Sequence, residues 1–292
     1  MSRIQDILAR AERDGTARRT HSSPSLVPPP HDFSAPEYAP PPIDGTAALD
    51  PSPFMPATEP AMAAPLATAA APAAAAIERR SASAVLHPAL VAAIAPRSAI
   101  ADRYRAIRTK IRQHDDHAPV RTIMVTSPGS GEGKSITAAN LALTMAQEQR
   151  QVVLVDANLR KPSVSALFGL ETDGPGLSEV LAGEATLDDA LVYLPEYRLT
   201  VLAAGAVPQF PTEQLGSAAM RRALDTLRAR FDRVLLDLPP ALPLADVGTV
   251  APLADGAVMI VRAGATQRPA LDEALTALDE TKVLGVVLND VK

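Results

Sequence analysis

From Ser98 to Lys292, short runs of consecutive apolar residues alternate with stretches in which apolar residues recur every three or four positions. Ile123, Met124 and Val125 suit a buried strand, and Ala138, Leu141, Ala142 and Met145 then fall on one face of a helix. Further strands are predicted at 151–156, 199–203, 234–237, 257–262 and 283–288, with helical segments from Leu177 and Leu187, over 217–230 and over 269–281. Continuous apolar runs mark strands covered on both sides. The alternation therefore predicts an α/β fold, a parallel sheet with helices on both faces and right-handed connections. Just before it, Ile100, Tyr104, Ile107 and Ile111 mark one face of a helix whose polar side carries Asp102, Arg105 and Arg108.

The pattern fades towards the N-terminus. Residues 1–15 hold a short amphipathic helix, with Ser2 and Gln5 as a capping box and Ile4, Ile7, Leu8 and Ala11 as its stripe. Residues 16–97 read as a disordered Pro/Ala-rich linker: 14 of the 28 prolines lie between Pro24 and Pro72, a stretch without Lys or Arg. About 50 such residues span roughly 40 Å as a coil. The α/β domain occupies 98–292.

Between the first strand and its helix lies PGSGEGKS, Pro128 to Ser135. Gly131 and Gly133 let successive amides turn around phosphate oxygens at the positive end of a helix. Lys134 then reaches the β and γ phosphates and the Ser135 hydroxyl ligates Mg²⁺. Pro128 stands where the strict phosphate-loop pattern has glycine. Two other strands end in acids: QVVLVDANLR in Asp156, followed by Asn158 and Arg160, and VLLDLPP in Asp237. Ligands of open parallel sheets sit beyond the carboxyl ends of the strands, so both acids converge on the loop and suit Mg²⁺ shared with a nucleotide.

These three motifs resemble the bacterial tyrosine kinases of capsule and exopolysaccharide synthesis, P-loop proteins related to the Min and Par ATPases. The similarity runs from about Ser98 to Val291 and includes GLSEVLAGEATLDDAL and VLGVVLND. Gly129 stands where the Min and Par loops carry lysine. The resemblance implies an ATP- and Mg²⁺-dependent protein-tyrosine kinase in which Gly129, Ser130, Gly131, Glu132, Gly133, Lys134, Ser135 and Ile136 bind nucleotide. It further implies that Asn289 reads the adenine edge, that Ser135, Asp156 and Asp237 hold Mg²⁺, and that Asp156 accepts the hydroxyl proton or joins the metal shell. The helix DRYRAIR implies ring-shaped homo-oligomers through Asp102, Arg105 and Arg108. A membrane chain-length or polysaccharide co-polymerase is the implied activator, which would recruit a cytoplasmic chain to the inner membrane face. The alternatives are an ATP-binding scaffold in the same pathway, or a Min/Par-type positioning ATPase.

Composition narrows the picture. A net charge of −5 argues against general nucleic-acid binding, and the absence of cysteine leaves no disulfide framework. No stretch reads as a membrane span or signal peptide. Three positions depart from the kinase pattern: Asn158 replaces a second acid, Ile136 a hydroxyl residue, and Phe210 an asparagine. No tyrosine follows Tyr197. Of Tyr38, Tyr104, Tyr193 and Tyr197, only Tyr38 lies in the linker, so any self-phosphorylation is expected there.

Overall fold

In the computed structural model, the described residues are 80–115, 118–148, 150–171, 173–243, 245–278 and 283–290. The expected helix over 1–15 and most of the linker, Tyr38 included, lie outside them. The strands are β1 (Arg80–Ser81), β2 (Thr122–Thr126), β3 (Val152–Asp156), β4 (Leu191–Leu194), β5 (Leu199–Leu202), β6 (Arg233–Asp237), β7 (Gly256–Arg262) and β8 (Val283–Asn289). The helices are α1 (Val91–Ile94), α2 (Ala99–Arg112), α3 (Lys134–Ala146), α4 (Val164–Phe168), α5 (Leu177–Ala182), α6 (Leu187–Ala190), α7 (Pro211–Leu215), α8 (Ala218–Arg230), α9 (Asp246–Val250) and α10 (Arg268–Thr276).

The sheet order is β1-β4-β5-β3-β6-β2-β7-β8, seven substantial strands with the two-residue β1 at one edge. Every neighbouring pair is parallel except β4–β5. Successive side chains of a strand point to opposite faces, and both faces are packed. On one, Met124, Val153, Val155, Val234 and Leu236 meet Met220, Leu224 and Leu227 of α8. On the other, Ile123, Val125, Leu154 and Leu235 meet Ala138, Leu141 and Met145 of α3. That double coverage is the reason the central strands are uniformly apolar, and the predicted α/β architecture holds. The one antiparallel strand, β4, follows the four-residue α6 directly, where only a helix was expected.

Packed structure also extends N-terminally of Ser98. Leu90 and Ala92 are fully buried. The buried Asn140 of α3 accepts from Ala92 N (2.9 Å) and donates to Ala89 O (2.9 Å), and Gln147 Nε2 donates to Ala92 O (2.9 Å). Residues 89–92 are thus strapped across α3. The stripe expected on α2 needs correction at Ile100, which is 52% exposed. Its buried residues are Ala101 and Ile111, with Ile107 partly buried against the α3 cluster, so the packed face lies towards the C-terminal half and Ile100 falls outside it.

Candidate active site

β2 delivers the chain into the loop between α3 and the ends of β6 and β7. Gly131 (φ 76°) and Gly133 (φ 89°) adopt left-handed backbone, which side chains disfavour. Gly133 caps α3, so Lys134, Ser135 and Ile136 form its first turn, while Gly129 and Ser130 sit on the loop's outer curve. Asn289 ends β8 against this loop. Its Nδ2 donates to Glu132 O (2.9 Å), and a Cβ on Gly133 would lie 2.1 Å from that nitrogen. Glycine at 133 is therefore favoured by its conformation, and any Cβ there would push the Asn289 side chain aside. Glu132 itself is buried, with Oε1 accepting from Thr266 Oγ1 (2.6 Å) and Oε2 without a partner. The VLLDLPP segment lies along the other side, where Thr126 Oγ1 donates to Pro239 O (2.7 Å) and Ala241 N to Ser127 O (2.8 Å).

Asp156 and Asp237 are register partners at the ends of β3 and β6, both fully buried, and Asp237 is also paired with Val125 of β2. Their environments differ. Asp156 is cradled: Oδ2 accepts from Ser163 N and Val164 N (2.9 Å each) and Oδ1 from Asn158 N (3.2 Å). Both oxygens of Asp237 lack a hydrogen bond of ordinary geometry. Burial raises both carboxyl pKa values. Asp237 is pushed up to about 7 by burial and then by the Asp156 charge, against the pull of Lys134 and the Ser135 hydroxyl. For Asp156 the three amides and Lys134 oppose the rise. Lys134 therefore acts on both acids. A buried carboxylate with two unbonded oxygens fits Mg²⁺ better than a structural role, since an orphaned charge is costly. Among the described residues no cluster of three or more acidic, histidine or cysteine ligands assembles. Mg²⁺ needs none when one or two carboxylates share it with phosphates.

Asn158 is buried in the turn after Asp156, and its side chain closes that turn. Nδ2 donates to Lys161 O (2.8 Å) and Oδ1 accepts from Lys161 N (3.3 Å). Asparagine can do both; aspartate can do only the second. Arg160 grips the buried Asp246 at the start of α9 (Nε–Oδ2 2.7 Å, Nη2–Oδ1 3.1 Å) and also Thr212 Oγ1 (2.8 Å), with Thr212 Oγ1 bonded to Asp246 as well. Neither Asp246 nor Thr212 carries a sequence signal, because both meet Arg160 only through the fold. Phe210 precedes α7 and is 57% exposed.

The residues expected at a ring interface lie away from this site, on α2. Asp102 pairs with Arg105 one turn on (2.5 Å). Arg108 points inward instead, to Thr144 O (2.6 Å) and Glu148 (3.1 Å) on the α3 side. Tyr104 is held by the side chains of Thr137 and Asn140, and burial raises its pKa.

A family profile described as ParA, NUBPL iron-transfer P-loop NTPase, matches residues 119–289. Tyrosine-protein kinase YwqD of Bacillus subtilis (strain 168) is 37% identical over 205 residues, which are 70% of this chain and 86% of YwqD. The chain belongs to the bacterial tyrosine kinase family. Within the family, the solved chimerical protein CapA2B2 superposes with a TM-score of 0.67 at 31% identity, over 70% of this chain and 91% of that one. The succinoglycan biosynthesis transport protein ExoP of Rhizobium meliloti (strain 1021) is 35% identical over 202 residues, 67% of this chain but 25% of ExoP. The chain thus spans most of the length of YwqD and about a quarter of that of ExoP.

Proposed function

We propose that this chain is an ATP- and Mg²⁺-dependent protein-tyrosine kinase that regulates exopolysaccharide or capsule polymerisation or export. The observation that carries the reading is the pairing of Asp156 and Asp237 on adjacent strand ends beside Lys134, with Asp237 unbonded and Asp156 fixed by three amides. Phosphoryl transfer needs positioning and charge more than covalent chemistry. The loop amides from 129 to 135 bind the phosphates, Lys134 bridges their charge, and Asn289 reads the adenine edge. Ser135 and Asp237 would hold Mg²⁺, which when bound neutralises charge on the transferring phosphate. Asp156, held in one orientation, accepts the proton of the attacking hydroxyl.

Among the described residues no helix is long and apolar enough to cross a membrane. The proposed partner is a membrane co-polymerase, a reading supported by a relative solved as a chimera and by the transport protein ExoP, and the proposed location is the cytoplasmic membrane face. Asp102 and Arg105 face outwards on α2 and are the proposed contacts of a ring, with Arg108 bracing α2 from inside. A nucleotide-bound scaffold without kinase output is the second reading, favoured by the neutral Asn158 beside the acids.

The test is phosphotyrosine formation on poly(Glu,Tyr) or the co-polymerase with Mg-ATP, next to calorimetric ATP binding. Lys134→Met is expected to abolish both and leave the fold intact, since Lys134 is half-exposed and outside the core. ATP bound equally by Lys134→Met refutes the site; ATP bound without any phosphotyrosine leaves the scaffold.

A further inference from the structure

Three loops meet at one guanidinium. Arg160 belongs to the turn after β3, Thr212 lies in the first turn of α7 beyond β5, and Asp246 opens α9 beyond β6. Because β3 lies between β5 and β6 in the sheet, Arg160 reaches the segments that follow both neighbours of its own strand. Its Nε donates to Asp246 Oδ2 (2.7 Å), its Nη2 donates to Asp246 Oδ1 (3.1 Å) and to Thr212 Oγ1 (2.8 Å), and the Thr212 hydroxyl donates to Asp246 in turn. Asp246 is fully buried, whereas Arg160 keeps 38% of its side chain exposed. Packed apolar groups would serve stability as well as such an ion pair does. What the two-pronged bond adds is a fixed orientation.

That orientation is passed to the chemistry through the chain. The turn carrying Arg160 is closed around it: Asn158 Nδ2 donates to Lys161 O (2.8 Å) and Lys161 N to Asn158 O (3.2 Å). Asn158 N in turn holds Asp156 Oδ1 (3.2 Å), so a shift at Arg160 reaches Asp156 within one short turn. On the other side, the residues after Asp237 lie along β2 and the phosphate loop, with Leu238 N donating to Val125 O (3.0 Å) and Ala241 N to Ser127 O (2.8 Å). They lead on to Asp246. The two acids thus stand at the roots of two arms, joined at the base where Ala157 N donates to Asp237 O (2.9 Å) and at the tips by Arg160 and Asp246. Neighbouring strands lie about 4.8 Å apart. Carboxylates that close repel when both are ionised, and the tie at the tips resists their spreading.

We propose that Asp246 and Thr212 are positioning residues for phosphoryl transfer: through Arg160 they fix the turn after β3 against the segment after β6, so that Asp156 and Asp237 keep one separation during the reaction. The inference rests on the kinase reading and adds to it two residues that act through a third. Asp246 is buried and works only by way of Arg160. Phosphoryl transfer draws on positioned charge, and a small misplacement of the groups around it is felt in the rate. Loosening the tie therefore slows the chemical step and leaves binding alone.

The experiment uses the full chain with Mg-ATP and poly(Glu,Tyr), and compares wild type with Asp246→Asn, Arg160→Lys, Thr212→Val and Thr212→Ser. Thr212→Val removes one hydroxyl from a half-buried position and keeps the test open if Asp246→Asn fails to fold. Turnover is measured per folded molecule, well below the melting temperature of each variant. In Asp246→Asn and Arg160→Lys kcat should fall about tenfold or more. Thr212→Val should show a smaller fall that Thr212→Ser, which keeps the hydroxyl, reverses. Both KM values and the calorimetric Mg-ATP affinity should stay within about twofold, since only an interaction of the transition state is lost. Lower melting temperatures with unchanged kcat overturn the inference and spare the kinase reading. A raised KM at constant kcat overturns it too, because the residues would then serve binding. Wild type that binds Mg-ATP and never phosphorylates poly(Glu,Tyr) sinks the kinase reading and the inference with it.

Discussion

Replacing Asn158 by aspartate isolates a single hydrogen bond next to the chemistry. By sequence pattern alone, Asn158→Asp restores a second acid near the metal and is expected to raise turnover. The structure reverses that expectation. Asn158 is 3% exposed and its Nδ2 donates to Lys161 O at 2.8 Å. An ionised aspartate has no proton to give, so two acceptors would face each other in a part-buried turn. The bond to the Lys161 carbonyl is part-buried, and replacing its donor by a facing carboxylate costs about 1–3 kcal/mol. For a folded unit of this size, that is a fall in Tm of roughly 3–10 °C. The turn supplies the Asn158 amide to Asp156 and leads into the Ser163 and Val164 amides that complete its orientation, so turnover is expected to fall with it. The penalty has a pH signature. The new carboxyl, buried beside Asp156, has a folded pKa above its unfolded value. Destabilisation is therefore full above the folded pKa and vanishes below the unfolded one, where the introduced side chain is protonated and donates again. Thermal unfolding of wild type and variant from pH 4 to pH 8, with phosphotransfer measured at neutral pH, reads both effects. A variant as stable as wild type at pH 8, or one with higher turnover, refutes the reasoning.

Asp237→Asn is expected to stabilise the nucleotide-free chain at pH 8: the wild-type carboxyl, raised to about 7, costs stability progressively as pH climbs from about 4 through 7, and the gain should vanish near pH 4. The same change should weaken Mg-ATP binding, and unfolding curves with ATP titrations check the pair. Gly133→Ala is expected to displace Asn289 and strain a φ of 89°, lowering ATP affinity about tenfold or more; unchanged calorimetric affinity would contradict the clasp between β8 and the loop. Arg160→Ala strands Asp246 in a buried position and should cost about 3 kcal/mol in denaturant unfolding, with Arg160→Lys recovering only part because it loses the two-pronged grip.

The central strands were legible because each is buried on both faces and so appears as an unbroken apolar run. The phosphate loop was legible because phosphate binding is a local arrangement of glycines, one lysine and one hydroxyl. β4 was not: LVYL follows a four-residue helix without a turn signal, and its pairing with β5 is a tertiary choice. Ile100 misled because a helical stripe shows which residues share a face, not whether a neighbour covers every turn of it. The place of Asp156 and Asp237 at strand ends followed from the apolar runs before them, but their register pairing and the difference between them did not. One is wrapped by amides of its own loop and the other left bare, a contrast that depends on how 157–164 folds back. Arg160, Thr212 and Asp246 are separated by 34 to 86 positions, beyond the reach of any local pattern.

The strap formed by residues 89–92 bears on how the protein can be dissected. A piece cut at Ser98, where the family motifs begin, would strip the Asn140 amide of two partners and the Gln147 amide of one, and open the site filled by Leu90. These losses fall on the same helix whose first turn carries Lys134 and Ser135. A shortened chain begun there would misreport nucleotide affinity, showing a weakness introduced by the cut, whereas one begun near Arg80 keeps the helix clamped.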